Sequence, residues 1–224
     1  MTNFENEKPR LESHNVSVFD IPKDIFEKIK GYVNNAKHEK NLVTNSLAGH
    51  IKEEYDLLNQ KIDKDVLDYL EDCTYTGTFY HNVLKNIDIM SGEGLPITLD
   101  SFWVNFQKKY EFNPMHNHSG IASFIIIVKI PYDLEEESKC YPDINPTLPS
   151  YTSKLAFLNY NRDGTAVSLP TAVDKSFEGK LLMFDSKKYH QVYPFYTSDD
   201  YRITISGNFK FKKIDEPPSI FFKT

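Results

Sequence analysis

Apolar positions along the chain recur with two different periods, helical near the N-terminus and alternating further on. Behind Pro22, the residues Ile25, Phe26, Ile29 and Val33 recur at helical spacing with proline in the tolerated first turn, which predicts a helix over 24–33. Ahead of it residues 1–20 are polar and unpatterned except for Val16-Ser-Val-Phe19, whose alternation predicts a short edge strand, an arm pairing with the main sheet. Residues 41–60 are irregular. A second helix is expected from Lys64 to about Lys85, with Val66, Leu67, Leu70, Phe79 and Val83 on one side and Gly77 as its candidate break.

From Leu95 onward the pattern changes to short β-rich runs separated by Pro, Gly, Asn and Asp, which is the signature of a sandwich or barrel. The runs are 97–106, 122–130, 154–160, 166–169, 180–184, 190–193 and 201–210. Seven strands and the arm approach the eight of a jelly roll. The expected class is mainly β (α+β), a double-stranded β-helix with the N-terminal helices packed on one face. Residues 1–94 form the arm and helical lead-in and residues 95–224 the jelly-roll core, as one compact domain overall. Residues 133–150 carry several Pro and acidic side chains and read as a long loop, either a lid or a solvated excursion.

Composition narrows the function classes. Aromatic residues reach 14%, mostly 16 Phe and 14 Tyr, which favours strands. The net charge of −6 and the absence of any Lys/Arg block argue against a nucleic-acid partner. Cys73 and Cys140 stand far apart, signalling neither a disulfide framework nor a thiolate zinc cluster, and fit a reducing cytoplasm. The first residues lack the apolar core of a signal peptide, and the longest apolar run, 121–128, is too short to span a bilayer. No membrane association is expected, and the oligomeric state, a homodimer included, is left open.

The chemistry concentrates in the β half. His14, His38, His50 and His81 are scattered through the helical half and are assigned no role, whereas His116-Asn-His118 follows the turn signal Asn113-Pro114. In an extended segment residues i and i+2 point to one face, so both imidazoles can reach one metal. His190 follows a turn, an apolar strand and a second turn, and only a jelly roll brings it to the pair. Arg202 lies in Tyr201-Arg-Ile-Thr-Ile-Ser-Gly-Asn208, where Arg202, Thr204 and Ser206 share a face opposite Ile203 and Ile205. An inward guanidinium beside hydroxyls offers a planar fork for a carboxylate; the plainer reading pairs it with Asp199 or Asp200.

This ordered set, a His pair, a β-rich gap, Gly179-Lys-Leu-Leu-Met-Phe184, His190, then Arg202 opening an alternating strand, resembles the Fe(II)/2-oxoglutarate-dependent oxygenases. Together with Trp103-Val-Asn105 it is similar to the small bacterial and phage members related to prolyl 4-hydroxylases, over about residues 95–210. The resemblance implies Fe(II) at His116, His118 and His190, 2-oxoglutarate chelating the metal with its far carboxylate on Arg202, and molecular oxygen and an unknown primary substrate as further partners. Hydroxylation would follow oxidative decarboxylation of the co-substrate to succinate. Asn105, Tyr110 and Thr204 are candidates for binding the co-substrate. The chain departs from the usual pattern at His118, where Asp or Glu is expected; three neutral imidazoles still bind Fe(II) or Zn(II). Two alternatives compete: a cupin-like three-His metal enzyme without 2-oxoglutarate, which succinate release would distinguish, and a non-catalytic jelly-roll binding module, which metal analysis would distinguish.

Overall fold

In β10 (Arg202–Phe211), the last described strand, Ile205 and Phe209 are fully buried on one face while Arg202, Thr204, Ser206 and Asn208 turn to the other. Its neighbours divide in the same way. In β3 (Ile97–Gln107) Phe102, Val104 and Phe106 share the first face, and Trp103, Asn105 and Gln107 the second; in β5 (Ala122–Lys129) Phe124 and Ile126 oppose Ile125 and Ile127. A sheet buried on both faces needs a covering layer on each side.

A computed structural model describes residues 2–39, 41–77, 96–140 and 151–212. Two antiparallel sheets form the core. The larger has the order β1-β8-β5-β10-β3-β2 and adds β1 (Val16–Asp20), β2 (Glu54–Asp56) and β8 (Lys180–Asp185); the smaller, β4-β9-β6-β7, contains β4 (Asn113–His116), β9 (His190–Val192), β6 (Leu155–Tyr160) and β7 (Ala166–Thr171). The arm predicted at 16–19 is β1, paired antiparallel with β8.

The outer face of the larger sheet is covered by α2 (Lys23–Glu39) and α3 (Lys64–Thr76). Ile25, Ile29 and Val33 of α2 and Val66 and Leu70 of α3 pack on Phe102, Phe124, Ile126 and Phe209. Each such fully buried side chain stabilises the fold by roughly 1.5–3 kcal/mol. The Tyr32 hydroxyl joins the two helices, donating to Asp63 Oδ2 at 2.8 Å and accepting from the Asp63 N–H at 2.9 Å. Between the sheets a second cluster holds Val16, Ile125, Ile127, Phe157, Leu182 and Phe184.

Three expectations are corrected. Residues 3–12 form a helix, α1 (Asn3–Glu12), started by a capping box between Thr2 and Glu5 and held by buried Phe4 and Leu11, too few apolar positions to reveal a period. The second helix stops at Thr76 with Gly77 as its cap; residues 78–95, where the expected helix continued, lie outside the described residues, as does His81. The stretch read as a loop from 133 begins with a short helix, α4 (Leu134–Lys139), capped by Asp133, whose carboxylate accepts from two backbone amides; residues 141–150 are outside the described residues.

Candidate metal centre

Strand pairing delivers the first two histidines. His116 and His190 are direct partners across the antiparallel β4–β9 pair, so their side chains leave the same face, with ring centroids 4.3 Å apart. Each ring is fixed by its own backbone: His116 Nδ1 lies 2.7 Å from the Pro114 carbonyl and His190 Nδ1 3.1 Å from the Lys188 carbonyl. A carbonyl can only accept, so both Nδ1 atoms carry the proton and both Nε2 atoms keep a lone pair.

His118 arrives differently from the sequence expectation. It lies beyond the end of β4, and the loop that carries it is anchored by its own N–H to the Ser186 carbonyl at 2.8 Å and by Lys187 Nζ to its carbonyl at 3.0 Å. Gly120 closes the loop at φ +95°, and a Cβ there would collide with the Phe209 carbonyl, which already accepts from the Ile121 N–H. His118 Nε2 thereby comes within 3.2 Å of His190 Nε2. The ligand atoms of the three histidines all lie within 4.8 Å of one another.

Burial keeps these imidazoles neutral. It lowers His116, takes His118 down to about 4 and takes His190 down to about 3; neighbouring His116 and Lys187 add to the effect at His118, and His116 and His118 add to it at His190. Three neutral imidazoles whose ligand atoms gather within 4.8 Å are a donor set for a borderline divalent cation, and Fe(II) fits it.

The triad opens into a cavity between the sheets, lined also by Asn105, Gln107, Thr204 and Arg202. Arg202 is 4% exposed. Among the described residues its five N–H groups find only neutral acceptors: Nε and Nη2 contact Gln107 Oε1 at 3.0 and 2.7 Å, Nη2 also the Tyr193 carbonyl at 2.8 Å, and Nη1 the Tyr132 hydroxyl and the Ser153 carbonyl at 3.1 and 2.9 Å. Lys109 and Lys129, not Arg202, pair with Asp199 and Asp200. A buried cation without an acid is costly, and a cavity that holds one is suited to an anion.

Asn105 accepts from Trp103 Nε1 at 3.1 Å and donates to Thr204 Oγ1 at 3.2 Å, forming one wall. Tyr110 does not reach the cavity. It sits at φ 71° in the turn after β3, 63% exposed, with its ring against Tyr196. β3 ends at Gln107, and beyond it strand alternation no longer directs side chains inward. Sequence reasoning missed Gln107, Tyr132 and Glu54; Gln107 could have been found as the next inward position after Trp103 and Asn105.

Residues 101–208 match the family described as "Putative 2OG-Fe(II) oxygenase". Over this stretch, which spans most of the jelly roll, the chain is similar to the 2OG-Fe(II) oxygenases. Among solved structures, an oxidoreductase of the 2OG-Fe(II) oxygenase family from Burkholderia pseudomallei aligns at 12% identity over 92% of this chain and 89% of its own, with a TM-score of 0.51, a likeness of fold. A prolyl-4-hydroxylase from Pseudomonas putida aligns at 14% identity over 94% and 100% of the two chains with a TM-score of 0.49. A viral collagen prolyl hydroxylase from Paramecium bursaria Chlorella virus-1, in complex with 2OG, aligns at 11% identity over 87% and 95% with a TM-score of 0.47. No curated protein matches the sequence.

Proposed function

We propose that this chain is an Fe(II)- and 2-oxoglutarate-dependent dioxygenase that holds Fe(II) through Nε2 of His116, His118 and His190, and binds 2-oxoglutarate in the inner cavity with its far carboxylate on Arg202. The observation that carries this reading is a buried guanidinium, partnered among the described residues only by neutral groups, lining the same cavity as three neutral imidazoles. Bound iron supplies oxidative decarboxylation of 2-oxoglutarate to succinate, coupled to hydroxylation of a substrate.

The residues contribute in distinct ways. The carbonyls of Pro114 and Lys188 fix the tautomers of His116 and His190 before metal arrives. Arg202 is already desolvated and held, so little ordering cost remains when a carboxylate displaces the Gln107 or Tyr132 contact. Asn105 and Thr204 align the inner wall, and Ile125, Ile127 and Val192 exclude water from it. With His118 in place of a carboxylate the metal site carries one more positive charge, which strengthens its attraction for a dicarboxylate co-substrate.

The primary substrate is a protein side chain or a small molecule. A cytoplasmic location is supported by Cys73 and Cys140 being free, and no described helix is long and apolar enough to cross a membrane. The acidic net charge argues against nucleic acid as substrate. Residues 1–94 and 95–224 act as one unit, since β1 and β2 complete the larger sheet.

Succinate formation from 2-oxoglutarate in air is the test. The account expects Fe(II)-dependent succinate, lost in His190→Ala and Arg202→Ala; oxygen uptake without succinate would select the cupin-like enzyme.

A further inference from the structure

Beside the triad a second, outer chamber is bounded by His116, His118, Trp103, Asn113, Glu54 and the segment 46–49. Glu54 lies directly opposite Asn105 in the β2–β3 pair, two residues before Asp56, which lies opposite Trp103. Paired antiparallel residues share a face, so Glu54 points to the cavity side with Asn105 and Trp103. The preceding Glu53 turns outward, to Lys37 and Tyr201. Glu54 is 1% exposed, and its Oε2 has no hydrogen-bond partner among the described residues. Asn113 Oδ1, in the same chamber, is buried and equally unpartnered.

Unsatisfied buried acceptors are rare, and two in one chamber require an explanation. Gly49 keeps them accessible to each other: a Cβ there would collide with Asn113 Oδ1 and stand 3.4 Å from Glu54 Oε1. No described lysine or arginine pairs with Glu54, while the Glu111 carboxylate adds negative potential nearby. The third element is the indole of Trp103, held by its N–H on Asn105, a ring face of the kind that attracts cations.

We infer that the outer chamber is a subsite for a cationic amine of the primary substrate, its ammonium hydrogens bonding Glu54 and Asn113 and its charge resting against Trp103. This deepens the oxygenase reading and rests on it for the word substrate. Burial, then Glu111, push the Glu54 carboxyl up to about 7 when the chamber holds no cation, so an arriving ammonium meets a group that its own charge holds ionised. The amine could be that of a free amino acid or of a lysyl side chain in a peptide.

Trp103 is the only tryptophan in the sequence, so intrinsic fluorescence reports on the chamber directly. The experiment titrates n-butylammonium, and separately butan-1-ol, into the full-length protein and into Glu54→Gln, with Fe(II) and 2-oxoglutarate binding measured in parallel. Glu54→Gln removes an unpartnered buried carboxyl and keeps its shape, so it is expected to fold and to bind metal as before. The expected result is a saturable change in Trp103 fluorescence with n-butylammonium, at least about tenfold weaker in Glu54→Gln, and none with butan-1-ol. Equal binding to both proteins, or butan-1-ol binding as well as the ammonium, overturns the subsite. The comparison of ammonium and alcohol in the unaltered protein decides the matter even if the variant does not fold. Free L-lysine and a blocked lysyl tripeptide extend the series; tighter binding of either than n-butylammonium supports the subsite and assigns its source. Loss of Fe(II) or 2-oxoglutarate binding in the unaltered protein would instead contradict the oxygenase reading, leaving the amine site standing by its own readout.

Discussion

His116 and His190 face each other across one antiparallel strand pair, and each donates its Nδ1 proton to the carbonyl two residues before it. Two short strands thus present two lone pairs to one point without help from any distant side chain. The third imidazole depends instead on a loop held by Ser186 and Lys187.

His118 is accordingly the proposed ligand most open to exchange. His118→Ala should lower Fe(II) or Co(II) content while the fold persists. His118→Asp should rebuild a two-His, one-carboxylate site and retain or raise 2-oxoglutarate turnover. Metal analysis of purified variants, with succinate measured alongside, checks both; full metal content in His118→Ala would remove it from the ligand set.

Gly120 is the second control on that loop. Gly120→Ala places a side chain at φ +95° and against the Phe209 carbonyl, at a cost of about 1–3 kcal/mol. Thermal unfolding should show this loss, and metal affinity should fall with it because the His118 loop shifts. A variant as stable as the parent would show that the loop relaxes freely.

Arg202→Ala should weaken 2-oxoglutarate binding by about 2–5 kcal/mol, the effect of leaving the partner carboxylate unpaired. It should also cost stability, since Gln107, Tyr193 and Ser153 lose buried donors. Fe(II) affinity should stay within a few-fold. Calorimetry with each ligand separates the two effects, and unaltered 2-oxoglutarate affinity would take Arg202 out of the binding site.

The triad also sets a pH dependence. The histidine pKa values are lower in the folded metal-free protein, about 4 for His118 and about 3 for His190, than the ordinary 6.5. The unfolded chain therefore binds more protons between those values, and stability present above pH 6.5 is lost as pH falls toward 3–4. The slope is at most about 1.4 kcal/mol per pH unit for each histidine. Denaturant melts of chelator-treated protein from pH 7 to 5 should show the decline, and His118→Asn should flatten it. A pH-independent parent would contradict neutral, buried imidazoles.

Alternation made much of this molecule legible beforehand. The seven β runs and the inward face of Arg202, Thr204 and Ser206 follow from period-two patterning and turn residues, whereas His118 joins the other two histidines from a loop. What could not be read there depends on partners distant in sequence. β2 is three residues long and carries no period; it exists because β3 offers it an edge. Tyr110, a candidate for binding the co-substrate, is turned away by a left-handed residue beyond the end of β3. Glu54 looks like an ordinary surface acid until the segment around Gly49 buries it.

The central claim is that one cavity holds both the metal and the dicarboxylate. Equilibrium binding of 2-oxoglutarate under argon, to the protein with and without Fe(II), tests it most directly. The account predicts binding that requires both Fe(II) and Arg202 and disappears in His190→Ala. Fe(II) bound tightly at the histidines with no binding of 2-oxoglutarate, or equal binding by Arg202→Ala, would contradict it.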